Sequence, residues 1–203
     1  CIKPVGVHAQ GEAEADLPAL LKRQLGCEIY PVHRLDQAVG GVMVFAKTER
    51  MAAKLSKAIQ EGKLQKEYLA VLTKRPEEDS GELFDLLFHD RFKNKTYVVS
   101  KERKGVKKAS LSYRVVAEAD GLCLVHVRLH TGRTHQIRVH MASIGHPLLG
   151  DEVYSNRKSP FKLQGQTLHA KTLGFIHPTT GEYLEIDAPL PEYFEHLLTV
   201  LEK

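Results

Sequence analysis

Cysteine is scarce in this chain of 203 residues: Cys1, Cys27 and Cys123 are the full set. The number is odd, the spacings are wide and no CxxC pair exists, so a disulfide framework and a zinc ribbon are excluded. A reducing, cytoplasmic compartment fits that usage. Long hydrophobic runs are missing too, and no stretch approaches the length of a membrane span or reads as a signal peptide. The chain opens at Cys1 in what reads as the middle of a strand, so upstream residues are expected to precede it. Neither GxGxxG nor GxxxxGK[ST] occurs, which removes the common nucleotide-cofactor sites. A GxSxG elbow is absent, which removes the usual Ser-His-Asp hydrolase. Repeats and low-complexity linkers are likewise missing.

What is present is ordinary globular material, with 42% apolar and 27% charged residues. That length buries a core without staples. The net charge of +4 announces no polyanionic partner by itself. Its distribution says more. Arg91, Lys93, Lys95, Lys101, Arg103, Lys104, Lys107, Lys108 and Arg114 follow one another with acids nearly absent, and Tyr97 and Tyr113 sit among them. Such a stretch can neutralise phosphates. It can equally be a solvated hairpin whose lysines keep an edge strand from pairing.

Periodicity organises the chain. Asp16 caps a helix that carries Pro18, Leu17, Leu20, Leu21 and Leu25 and stops at Gly26. Thr48 caps a second, with Met51, Leu55 and Ile59 as its stripe and Gly62 as its end. Strands are expected over 42–46, 66–72, 96–99, 109–116, 123–130, 168–176 and 183–186, the last two joined by the turn His177-Pro178-Thr179-Thr180-Gly181. A short helix is expected over 134–144, a loop over 76–81, a polar loop over 154–165, and a C-terminal helix from Pro191. Strands outnumber helices and do not alternate with them. The expected fold is α+β, with a mixed, largely antiparallel central β-sheet flanked by helices and loops.

Three segments carry chemistry. His33-Arg34-Leu35-Asp36 places a base, a cation and a carboxylate on a loop before Gly40-Gly41. Alone it reads as a surface ion pair. Lys66-Glu67-Tyr68 begins a strand, where a tyrosine is ordinarily half-buried core. Thr131-Gly132-Arg133-Thr134-His135-Gln136-Ile137-Arg138-Val139-His140 crowds polar and basic groups at a strand-to-helix junction. Arg138 falls in the first turns of that helix, where the dipole disfavours a cation, so a carboxylate or phosphate is expected opposite it. His126, His130, His135 and His140 are dense among 11 histidines, but they match no HExxH or CxxC…HxxxH spacing, and no metal is expected.

In this order the segments resemble the RluA-type branch of the pseudouridine synthases. The family pattern HRLDxxTSG…AK, KxY, GRTHQIRVH…GHPxxGD, LHA…HPxTGE stands here as HRLDQAVGGVMVFAK (33–47), KEY (66–68), GRTHQIRVHMASIGHPLLGD (132–151) and LHAKTLGFIHPTTGE (168–182), and Lys3-Pro4-Val5-Gly6-Val7 resembles the KPxG segment. The family's Thr-Ser is Val39-Gly40 in this chain. The resemblance implies a single catalytic domain over 1–203, with no separate accessory RNA-binding domain in the chain. It implies an enzyme that isomerises uridine in ribosomal or transfer RNA without a cofactor. Asp36 is then the nucleophile, Arg138 its guanidinium partner, and Tyr68 the ring that stacks on the displaced base and helps remove the C5 proton. Arg34 fills the gap left by a flipped nucleotide, and Ile137 and Leu173 wall the pocket. Lys104, Lys107 and Lys108, within the basic stretch, are expected to contact RNA. The expected partner is an RNA stem-loop met by a monomer, with no membrane and no metal. The alternative is an RNA-binding protein that keeps the fold without the catalysis.

Overall fold

A computed structural model describes residues 1–11, 15–155, 159, 161 and 163–201. In chain order the elements are β1 (Ile2–Lys3), α1 (Leu17–Leu25), β2 (Tyr30–Pro31), β3 (Gly40–Val42), β4 (Phe45–Ala46), α2 (Glu49–Gln60) and β5 (Gln65–Leu72). β6 (Ser80–Asp90), β7 (Lys95–Val99), β8 (Val106–Ala119), β9 (Leu122–Leu129), α3 (Gln136–Ser143) and α4 (Glu152–Ser155) follow. β10 (Leu168–Ile176), β11 (Tyr183–Asp187) and α5 (Glu192–Leu201) complete the set. The fold is α+β with predominantly antiparallel strand pairing. The chain gathers into two compact units, one of residues Cys1–Lys66 with His169–Leu190, the other of Glu67–Leu168 with the residues from Pro191 on.

In the first unit β3 lies between β1, antiparallel, and β10, parallel. β11 returns along β10 through the expected turn. Both helix caps form as the sequence predicts. Asp16 accepts the Ala19 N–H at 2.9 Å, and Gly26 closes α1 in the left-handed region. Thr48 caps α2, whose Leu55 packs with Val42, Ala46, Leu64, Leu173, Phe175 and Ala188 into this unit's core. The single strand expected over 42–46 is instead two short strands. The Val44 N–H is taken by a side chain, His33, at 3.1 Å, and a ladder cannot run through a residue bonded elsewhere.

Gly41 shows why glycine stands here. Its φ is +126°, and a Cβ would fall 2.3 Å from the Ala170 carbonyl oxygen. No side chain fits where β3 and β10 approach so closely.

In the second unit β5, β9, β8, β6 and β7 are successive neighbours. β6 falls where the sequence suggests no strand, and it pairs along most of its length with β8. α3 packs Val139 against Leu87 and Ala109. The loop expected over 154–165 begins as α4; residues 156–158, 160 and 162 of it lie outside the described residues. Among the described residues no helix is long and apolar enough to cross a membrane.

Candidate active site

In the first unit, Asp36 sits half-buried on the loop between β2 and β3. Its carbonyl accepts the Val39 N–H at 3.0 Å, which closes a turn over Gln37 and Ala38. Gln37 is then held from three directions. Its carbonyl accepts the Gly6 N–H at 2.9 Å and the Lys3 ammonium at 3.1 Å, and its side-chain amide donates to the Gly6 carbonyl at 3.0 Å. Leu35, just before Asp36, and Val39, at the end of the turn, are buried. Val39-Gly40 departs from the family pattern, yet the turn closes through the main-chain bond from Val39 to Asp36. Gly40 is packed close, with Val5 Cγ2 3.2 Å and the Lys3 carbonyl 3.3 Å from where a Cβ would stand.

Two ionisable neighbours shape this loop. His33 Nε2 accepts the Val44 N–H, which places the proton of the neutral ring on Nδ1. Burial first, then the Lys66 charge, lowers its pKa to about 4. His33 is therefore a neutral anchor near neutrality. Lys3, 1% exposed, also donates to the Pro4 carbonyl at 2.8 Å. Burial lowers its pKa to about 8, and the Asp36 charge opposes that shift. Lys3 is thus a buried cation that the Asp36 carboxylate feels. The KPVG resemblance marked its position, but nothing in the sequence revealed its function. Arg34 is exposed. Leu173 is core of this unit.

In the second unit, Arg138 is buried on α3 and holds Asp151 through two charge-assisted bonds, Nε to Oδ2 at 2.6 Å and Nη2 to Oδ1 at 2.9 Å. The expectation of a carboxylate opposite Arg138 is met within this unit by Asp151, which the sequence displayed only as the last letter of GHPLLGD. That segment runs beside β5, with the Leu149 N–H on the Val71 carbonyl at 2.9 Å, and this brings Asp151 to α3. Asp151 is fully buried. The Tyr154 ring lies under the guanidinium, 5.1 Å from its carbon. The Tyr154 hydroxyl accepts the Thr96 N–H at 2.8 Å and shares a 3.0 Å hydrogen bond with His135 Nδ1. The Lys95 ammonium stands 5.3 Å from the same ring. Tyr154 was another residue the sequence did not single out.

Much of Thr131–His140 is architecture. Helix α3 has no side-chain cap; His135 precedes it with φ of 55°. Gln136 turns back instead, its side-chain oxygen accepting the Thr131 hydroxyl at 2.7 Å and the Arg133 N–H at 3.0 Å, while its amide donates to the Ser110 carbonyl at 2.9 Å. Those bonds clamp the strand-to-helix junction onto β8. The dense histidines go separate ways: His126 meets Glu67 at 3.0 Å, His140 faces Asp85 at 3.7 Å, and His135 meets Tyr154.

Tyr68 is buried on β5 and Ile137 on α3. Lys104 stands exposed on the turn before β8, which Gly105 completes with φ of 87°. Lys107 and Lys108 are exposed and consecutive on β8, so they project to opposite faces of the sheet. Lys108 pairs with Glu102 at 3.2 Å. It borders an open groove of about 430 Å³ lined also by Leu86, Arg103 and Val106.

Residues 1–143 match the family model described as RNA pseudouridylate synthase. Ribosomal large subunit pseudouridine synthase D of Haemophilus influenzae is 39% identical over 187 residues, covering 84% of this chain and 55% of that protein. An uncharacterized RNA pseudouridine synthase, YlyB of Bacillus subtilis, is 37% identical over 172 residues, covering 85% of this chain and 55% of that protein. The chain thus spans about half the length of these curated relatives. Among solved structures, human RNA pseudouridylate synthase domain containing 4 is similar with a TM-score of 0.80 at 26% identity, covering 99% of this chain and 88% of that one. The match over residues 1–143 takes in the HRLD loop, the KEY strand and the GRTHQIRVH junction: the chain belongs to the RNA pseudouridylate synthase family, in its RluA-type branch.

Proposed function

We propose that this chain carries the catalytic part of an RNA pseudouridine synthase that acts on a uridine in structured RNA, with ribosomal RNA as the first substrate to try and transfer RNA as the second. The observation that carries the reading is the family match over residues 1–143, inside which Asp36 stands on a loop pinned through Lys3, Gly6 and His33. The names of relatives such as ribosomal large subunit synthase D motivate the choice of ribosomal RNA.

In this reading the Asp36 carboxylate attacks the nucleotide and the N1–C1′ bond breaks. The detached uracil rotates, C5 bonds to C1′ as the bond formed by Asp36 breaks and frees the carboxylate, the C5 proton leaves and N1 gains one. Atoms balance without a cofactor or a metal. Tyr68 stacks on the displaced base and assists loss of the C5 proton. Arg138 answers the carboxylate, a role that rests on motif order. Arg34 occupies the vacated stack, whose opening costs a few kcal/mol. Ile137 and Leu173 supply apolar wall, and Lys104, Lys107 and Lys108 meet phosphates, so affinity falls steeply with salt.

The test is tritium release from [5-³H]uridine-labelled ribosomal RNA. Wild type is expected to release tritium and Asp36→Ala to release none. Release that persists in Asp36→Ala removes Asp36 as nucleophile. RNA binding without release by wild type supports the non-catalytic alternative.

A further inference from the structure

The hairpin between β6 and β7 ends in an aromatic group with nothing to pack on. Strand pairing extends to Asp90 and Lys95, which leaves Arg91-Phe92-Lys93-Asn94 as the loop. Its shape is set locally. Asp90 Oδ1 accepts the N–H groups of Phe92 at 3.0 Å and Lys93 at 3.1 Å, and Asn94 turns the chain back with φ of 44°. The result is a phenylalanine at 104% relative exposure, flanked by the exposed Arg91 and Lys93. A phenyl ring fixed in water forgoes all the burial its surface offers.

The surroundings indicate what covers it. Lys101, Arg103, Lys104, Lys107 and Lys108 are exposed on the following turn and strand. Asp90 spends its carboxylate on the turn, and Glu102 is paired with Lys108. The charge complements a polyanion, and a bare ring between two cations complements a base whose face is free. Bases inside a duplex have no free face, so the ring selects an unpaired nucleotide.

Resting on the RNA reading above, we propose that Phe92 is a stacking contact for an unpaired RNA base, with Arg91 and Lys93 on its flanking phosphates.

The test exploits the absence of tryptophan from the chain. In Phe92→Trp the indole is a unique reporter. The probes are an RNA stem-loop and the same stem closed as a blunt duplex. Phe92→Ala is expected to weaken stem-loop binding by about 5- to 150-fold, the range that one base–aromatic stack spans, and to leave duplex binding unchanged. Phe92→Trp is expected to retain stem-loop affinity, with its emission quenched by the stem-loop and not by the duplex. Circular dichroism checks that Phe92→Ala folds, as an exposed site requires. If wild type and Phe92→Ala bind the stem-loop equally and the Phe92→Trp emission does not respond, the stacking contact is overturned while the RNA reading survives. If wild type neither binds RNA nor releases tritium, both fail. Emission that changes with protein concentration alone, together with a dimer in sedimentation, assigns the ring to a second copy and overturns the proposal.

Discussion

The loop bearing Asp36 and the helix bearing Arg138 each hold an ionisable group in place, and they do so by opposite means. Asp36 is half-buried, and its loop is pinned through main-chain bonds, a neutral histidine and one lysine. Arg138 is buried and rests on a buried carboxylate through two bonds. The difference follows from desolvation. A guanidinium taken out of water costs several kcal/mol unless a well-aimed anion answers it, whereas a half-buried carboxylate keeps much of its hydration. The described bonds of the first region are largely those of its backbone and those of the second include the Arg138–Asp151 pair, so they should break under different substitutions.

The largest effect is expected at Asp151. Asp151→Ala leaves the Arg138 charge buried without this carboxylate and should cost about 3–5 kcal/mol, read from urea denaturation. A loss below about 1 kcal/mol would mean that Arg138 does not depend on the pair. In the other region the backbone is the target. Gly41→Ala drives a methyl group onto the Ala170 main chain at a φ that L residues rarely adopt, and about 3 kcal/mol of destabilisation is expected, with Leu173 and Phe175 losing hydrogen-exchange protection first.

Acid sharpens the contrast. His33 and His169 have pKa values lowered from 6.5 to about 4, in both cases chiefly by burial. Between those values the unfolded chain binds protons that the folded chain refuses. Stability is therefore fully present above about 6.5 and drains as pH falls toward 4, by on the order of 2–3 kcal/mol for each histidine. Denaturation midpoints taken across this window should show the slope, and His33→Gln, which can still accept the Val44 N–H, should flatten it. An unchanged slope would remove His33 as the acid-sensitive anchor. The smallest effect belongs to Arg34. Its side chain is exposed, so Arg34→Ala should alter stability by no more than about 0.5 kcal/mol while RNA binding weakens. A loss of several kcal/mol would place Arg34 in the scaffold instead.

How much of this was legible varied with the range of the interaction. Helices α1 and α2 were read closely, because Asp16, Gly26 and Thr48 act on N–H and C=O groups a few residues away. The hairpin of β10 and β11 was read from its alternation and its HPTTG turn. β6 was not. Leu83-Phe84 and Leu86-Leu87-Phe88 put apolar residues side by side, so no period of two marks the strand, and Phe84 is in fact 69% exposed. Only pairing with β7 and β8 makes that segment a strand. The demand of Arg138 for a carboxylate was legible from the helix dipole. The identity of Asp151 was not, because a connecting segment laid along β5 brings it there. Gln136 and Thr131 looked chemical in the sequence and turned out to clamp backbone.

By itself, the sequence determined the α+β class, the caps of α1 and α2, the family and the order of the motif residues, because caps, periodicity and motif spacing are local properties of a chain. Tertiary structure alone decided which charges are buried and what answers them: Asp151 beneath Arg138, Lys3 against the turn after Asp36, and His33 held neutral on the Val44 N–H. Desolvation and hydrogen-bond partnership depend on neighbours far away in the chain, and these come together only when the strands pair.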